Sequence, residues 1–315
     1  MQTKGIFKGY LFIVISAVIF GCMPLMAKYI YADGVNSMSL VALRNVLSLP
    51  FLFLMGVFQK QSFAVRPKEL PSVLLIGAFG CALTPFLLFS SYQYMNSGTA
   101  TVFHFVYPAL VLLLEWILLR GKLQGRSIIA ILLCVAGIAM FYNPEEGISL
   151  MGRVFALSSG LTYAIYVCLL GKLGRRGMGV YVFSFFATAA ASVILLVVSL
   201  VGGMITLPQS AMGWLLSVVF AILVNVGAVV LFQSGTFLIG GQKASILSTF
   251  EPITSLVVGW LVFHENATWL SALGAVLVLC ASLLIALGDS REQQRCEATE
   301  EPAVDIENEK KEKNS

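Results

Sequence analysis

Two ionisable side chains interrupt long apolar stretches of this sequence, and each stands beside a proline. His104 lies four residues before Pro108, and Glu251 lies directly before Pro252. Four residues is just over one helical turn, so His104 and Pro108 fall near one face of a helix. Proline removes a backbone donor and loosens the preceding turn, which frees carbonyls to meet a ligand or a neighbouring side chain. An ionisable group among apolar residues is costly and usually faces a cavity or a partner. Glu251 therefore reads in two ways: as a group that binds a substrate amine or carries a coupling proton, or as a carboxylate that satisfies polar groups of a neighbouring helix. Imidazole titrates near neutral pH, so His104 reads as a proton relay or substrate donor, or else as a neutral hydrogen-bonded interior residue.

Other candidates are amphipathic rings and amides. Phe20, Tyr163, Tyr166 and Tyr92 can line a cavity for apolar or cationic molecules, or simply pack between helices. Asn225 and Gln233 lie eight residues apart on one helical face, and Thr84-Pro85 forms a similar polar break in another helix; such groups touch a cavity or join helices. Arg44 reads as structural, its head reaching outward or pairing with carbonyls. Glu115 is expected to pair with Arg120 or Lys122, and Lys243 to mark topology or gate. There is no phosphate-binding glycine loop and no clustered metal-ligand set, so neither ATP hydrolysis, a cofactor nor a metal is expected. Leu173-Gly-Arg-Arg-Gly177 reads as a patch of positive charge.

The elements that must position these residues are apolar helices. Hydrophobic residues make up 58% of the 315 and charged residues 11%, with a mean hydropathy of +0.89. A soluble domain carries about 25% charged residues, so lipid must be the solvent for most of this chain. The net charge of +4 is spread over short loops and does not point to nucleic acid. Spans are predicted near 9–31, 37–58, 70–93, 97–119, 127–142, 150–170, 180–201, 214–238, 242–262 and 268–287. With the N-terminus in the cytoplasm, Lys60, Arg66, Lys68, Arg120, Lys122, Arg126, Lys172, Arg175, Arg176 and Lys243 all fall inside, and Glu145-Glu146 falls outside. This places both termini in the cytoplasm. Cys22, Cys81, Cys134, Cys168 and Cys280 read as small packing residues. The first span reads as uncleaved, and the tail 289–315 as disordered.

The chain also repeats itself. Gly9-Tyr-Leu-Phe12 matches Gly152-Arg-Val-Phe155, Ser16 matches Ser159, and Phe20 matches Tyr163. Gly98-Thr-Ala-Thr101 matches Gln242-Lys-Ala-Ser245, Pro108 matches Pro252, and Trp116 matches Trp260. Five spans per repeat would insert the halves in opposite senses, an architecture of transporters. The expected fold is all-α and integral to the membrane, with ten transmembrane helices in two inverted five-helix repeats, 1–143 and 148–288.

The pattern Ala42-Leu-Arg44-Asn45, the entries Ser97-Gly-Thr-Ala100 before Tyr107-Pro108 and Gln242-Lys-Ala-Ser245 before Glu251-Pro252, and His264-Glu265 resemble the drug/metabolite transporter superfamily, in particular its bacterial EamA type. Arg120-Gly121 departs from the Gly-Glu pair often found there. The resemblance covers about 9–287. It implies a cavity between the halves formed mainly by the first, third, fourth, sixth, eighth and ninth helices, and export or exchange of a small metabolite, such as an amino acid, across a bacterial inner membrane. The expected partners are that small-molecule substrate and the lipid bilayer, with no nucleic acid, for a monomer or homodimer that is not an enzyme. A membrane-embedded enzyme and a non-transporting scaffold or signalling protein of the same fold are the alternatives.

Overall fold

A computed structural model describes residues 2–119, 125–140, 149–173, 178–239, 247–264, 268–270, 272–281 and 283–284. The readings made for the tail, for Glu115 as an ion-pair partner, for the loop charges Arg120, Lys122, Glu145, Glu146, Arg175, Arg176 and Lys243, and for Glu265 lie outside the described residues or side chains.

The described residues are helical, with no strand among them. The first half holds α1 (Gln2–Ala32), α2 (Ser37–Phe58), α3 (Leu70–Ser91), α4 (Ser97–His104), α5 (Tyr107–Leu119) and α6 (Gly125–Met140). The second holds α7 (Leu150–Leu173), α8 (Val180–Val201), α9 (three joined pieces, Ala211–Ala221, Ile222–Ala228 and Val229–Ile239), α10 (Phe250–Phe263) and α11 (Ala272–Ala281). Six helices among the described residues are long and apolar enough to cross a membrane, and three further apolar helices are shorter. Large apolar side chains such as Val193, Val197, Leu200, Trp116 and Trp260 face outward. Hydrocarbon accepts such a surface and water does not. The protein is therefore an all-helical membrane protein with several spans.

Two helices change register at matching places. The backbone widens to π geometry at Gly77–Leu83 in α3 and at Ile222–Ala228 in α9. Pro85 follows the first and has no N–H for the carbonyl four residues back, that of Cys81. Asn45 on α2 supplies a donor there, Nδ2 to Cys81 O at 3.0 Å. In the second, Ser16 Oγ on α1 donates to Ala228 O at 2.7 Å. Within a bilayer no water can do this, so neighbouring side chains must.

Two further breaks differ from the uninterrupted spans expected at 97–119 and 242–262. Residues 105–106 separate α4 from α5, and residues 248–249 form a turn directly before α10. Each break ends three residues or fewer before a proline, Pro108 or Pro252. The missing proline N–H removes the helical bond that would have carried the chain through.

Helix contacts between the first and second sets come in exchanged pairs. α1 packs on α9 as α7 packs on α3; α1 packs on α10 as α7 packs on α4 and α5; α2 packs on α9 as α8 packs on α3. The α2–α8 and α4–α10 contacts map onto themselves. One end of the bundle gathers the turn after α1, the start of α2, the end of α3, the start of α7 and the α8–α9 loop. There Asn36 Nδ2 donates to Met204 O at 2.7 Å, Ser37 and Ser90 hydroxyls lie 2.9 Å apart, and Tyr94 packs on Phe155. The start of α1 lies at the other end, where Gly9 meets Leu238 and Ile239.

Candidate functional site

The breaks and π segments surround a cavity between the two sets of helices. It contains about 770 Å³ of atom-free space, part of it continuous with the exterior. Of the residues singled out from sequence, Phe20, Thr84, His104, Tyr163, Tyr166, Asn225 and Glu251 line it. Tyr92 and Gln233 do not. Tyr92 packs edge-on against Phe89, with centroids 5.6 Å apart. Gln233 accepts from Ser184 Oγ at 2.9 Å and meets the Tyr166 hydroxyl, so it supports the wall from behind. Polar side chains with satisfied partners act as joints between helices.

His104 ends α4. Its Nδ1 lies 2.9 Å from Ser159 Oγ, and that hydroxyl already donates to Ala156 O at 2.6 Å. A hydroxyl has one proton, so His104 Nδ1–H is the donor to Ser159. In a neutral ring Nε2 is then an acceptor. A hydroxyl chain runs beside it, Thr84 Oγ1 to Thr162 Oγ1 at 2.9 Å and Thr162 Oγ1 to Ser159 O at 3.0 Å. The His104 ring lies 5.2 Å from Tyr163, which lies 4.6 Å from Tyr107 and 5.3 Å from Tyr166. Glu251, half-buried in the first turn of α10, stands opposite within electrostatic reach of Tyr107 and Tyr163. Gly80 sits beneath the Tyr166 ring, where any Cβ would collide with it. A side chain there would push the ring into the cavity.

Arg44, expected from the sequence to be structural, lies on this wall. Arg44 is 6% exposed, and its guanidinium carbon lies 5.5 Å above the Phe89 ring. The backbone behind it is fixed by Asn225, whose Nδ2 lies 3.2 Å from Arg44 O, 3.1 Å from Asn45 Oδ1 and 3.0 Å from Ser48 Oγ. Thr188 of α8 lines the cavity too. The second and seventh predicted spans thus join the six expected from the family resemblance. Five lining pairs, Phe20 with Tyr163, Met23 with Tyr166, Arg44 with Thr188, Gly80 with Asn225 and Thr84 with Val229, are separated by 143 to 145 residues along the chain.

The family model described as the EamA-like transporter family matches this chain twice, over residues 7–143 and 150–287. The chain belongs to the EamA-like transporter family. Among similar proteins, this EamA-like chain is 26% identical over 277 residues to an uncharacterized transporter of Archaeoglobus fulgidus, covering 86% of this chain and 94% of that one. It is 27% identical over 315 residues to the uncharacterized inner membrane transporter YicL of Salmonella typhimurium, covering 91% and 98%. It is 25% identical over 278 residues to the uncharacterized transporter YcbK of Bacillus subtilis, covering 84% and 88%. One solved crystal structure superposes on the EamA-like fold with a TM-score of 0.63 at 16% identity, covering 90% of this chain and 98% of that one. That likeness concerns the fold alone.

Proposed function

We propose that this protein is a ten-span secondary transporter of two inverted five-helix repeats, 1–143 and 148–288, which moves a small amphipathic metabolite outward across a bacterial inner membrane. The observation that carries the reading is the cavity itself. Positions related by the repeat line it from both sides, and discontinuous helices end at its wall. Broken helices around a site between repeats are how transporters place polar groups at mid-membrane. Residues that the ten-span count puts on one side do touch: Asn36 meets Met204, and Gln61 accepts from Tyr181 N at 3.1 Å. The start of α1 and the start of α7 lie at opposite ends of the bundle, which supports the inversion. Both termini then lie in the cytoplasm, as the loop charges require.

The halves rock about the cavity and expose it to each side in turn. Phe20, Thr84, His104, Tyr163, Tyr166, Asn225 and Glu251 contact the substrate. Gln233 holds Tyr166 in place, and Tyr92 backs Phe89 in the wall. Glu251 and His104 are the groups that couple movement to protons. The test is flux in vesicles reconstituted with purified protein, over a range of pH, for metabolites first found by thermal-shift screening. Glu251→Gln should remove the pH dependence; a mutant with unchanged transport at every pH would remove Glu251 from the mechanism. Single cysteines at positions 146 and 176, labelled from each side, should report opposite compartments. Labelling from the same side would end the inverted-repeat reading.

A further inference from the structure

We propose that Arg44 is the anchor for an anionic group on the transported molecule, and that the substrate class is a small organic carboxylate with an apolar body. This rests on the transporter reading and specifies the cargo of the same cavity. Arg44 sits deep in the cavity wall. It is more than nine-tenths buried, its Nε has no hydrogen-bond partner, and among the described residues no carboxylate lies within ion-pair distance of it. A buried cation without a counter-ion is costly and rarely retained without a use. Glu251 lines the same cavity from the other half of the chain, yet does not pair with it. The arginine is therefore held ready and not neutralised internally.

The geometry fits a carboxylate. The guanidinium carbon lies over the Phe89 ring, 5.5 Å from its centroid. A cation so placed uses the ring's electron-rich face and keeps its N–H donors for other partners. Those donors form a rigid fork that matches two carboxylate oxygens. From behind, Asn225 ties the Arg44 carbonyl to α9, so the stem begins from a fixed point. The position related to Arg44 in the second half is Thr188, which is neutral. The cavity thus has one arginine end, and an oriented anion satisfies it. Phe20, Met23, Tyr163 and Phe232 supply an apolar surface for the rest of the molecule.

The test compares three probes with one phenylpropyl skeleton on the purified full-length protein: 3-phenylpropionate, its isosteric amide 3-phenylpropionamide, and 3-phenylpropylamine. Thermal stabilisation is read against concentration. The acid should bind at least tenfold more tightly than the amide, and the amine should be the weakest. Arg44→Gln should abolish the advantage of the acid over the amide, and Arg44→Lys should restore part of it. An acid that does not outbind its amide on the native protein overturns the proposal, and that comparison needs no variant to fold. Equal binding of the acid by native protein and Arg44→Gln overturns it as well. Because binding is read without flux, selective acid binding with no flux in vesicles would count against transport and leave the anion site standing. Undiminished flux of an amine in Arg44→Gln would do the reverse.

Discussion

The carboxamide of Asn225 is the joint between α9 and α2, and its contribution can be worked out bond by bond. Its Nδ2 faces three acceptors: Arg44 O, Asn45 Oδ1 and Ser48 Oγ, at 3.0 to 3.2 Å. Two protons serve three acceptors, so two hydrogen bonds are made at a time. Hydrogen bonds between membrane helices are worth about 0.6 kcal/mol on average and at most about 1.7 kcal/mol. Asn225→Ala should therefore lose about 1–3 kcal/mol. The cleaner measurement is a double-mutant cycle with Ser48→Ala. Ser48 Oγ gives its own proton to Asn45 O at 2.8 Å, so its lone pairs are free to accept from Asn225. The two single changes should couple by about 0.6–1.7 kcal/mol in reversible detergent unfolding. Coupling below about 0.3 kcal/mol, the scatter of independent sites, would refute the idea that this amide holds the helices. Transport should fall in Asn225→Ala, since the same carboxamide also meets the backbone carbonyl of Arg44.

Gly80→Ala should impair flux much more than it lowers stability, by pushing the Tyr166 ring into the cavity at a cost of about 1–3 kcal/mol; equal transport with a shifted melting temperature would contradict this. Asp33, at the solvent edge after α1, accepts from Gln209 N at 2.8 Å and Ser210 N at 3.1 Å. Hydrogen bonding from Ser210 lowers its pKa below the ordinary value. A depressed folded pKa means that the stabilisation is present above the ordinary aspartate pKa of about 4 and is lost as pH falls through the folded value. Asp33→Asn should thus melt below the native protein at pH 7 and pH 5, with the gap closing in stronger acid; a gap independent of pH would refute the assignment. His264 caps α10 with φ 52° and ψ 34°, a left-handed conformation that costs a residue with a Cβ about 1 kcal/mol. His264→Gly should raise the unfolding free energy by a similar amount, and a lower value in detergent unfolding would show that the side chain itself is needed.

Much of the scaffold could be read from residue types. Pro108 and Pro252 marked a loosened turn in each of two helices, because a missing N–H is a local fact, but full interruption of the spans expected at 97–119 and 242–262 depends on packing. Thr84-Pro85 and Asn225 marked the helices that change register, although the π geometry itself could not be foreseen. The site was harder. Arg44, two turns inside its helix, has a stem long enough to reach the membrane surface, and only the arrangement of Phe89 and α9 turns it inward. Thr188 stands among alanines and carries no signal by type. Tyr92 and Gln233 have the chemistry of lining residues, but Tyr92 turns onto Phe89, three residues before it, and Gln233 is drawn into the wall by Ser184, 49 residues away. The αL cap at His264 is legible in hindsight, since the resembling family has glycine there.

The donor that Asn45 offers to the Cys81 carbonyl has an evolutionary corollary. Replace Asn45 alone with leucine, and a carbonyl beside a proline loses its side-chain donor within hydrocarbon. Replace Pro85 first, and a new N–H can join the amide on that carbonyl, which has two lone pairs. Positions 45 and 85 are epistatic in one order: Asn45 is held for as long as Pro85 stays, so descendants of this sequence should lose the imino acid before the amide.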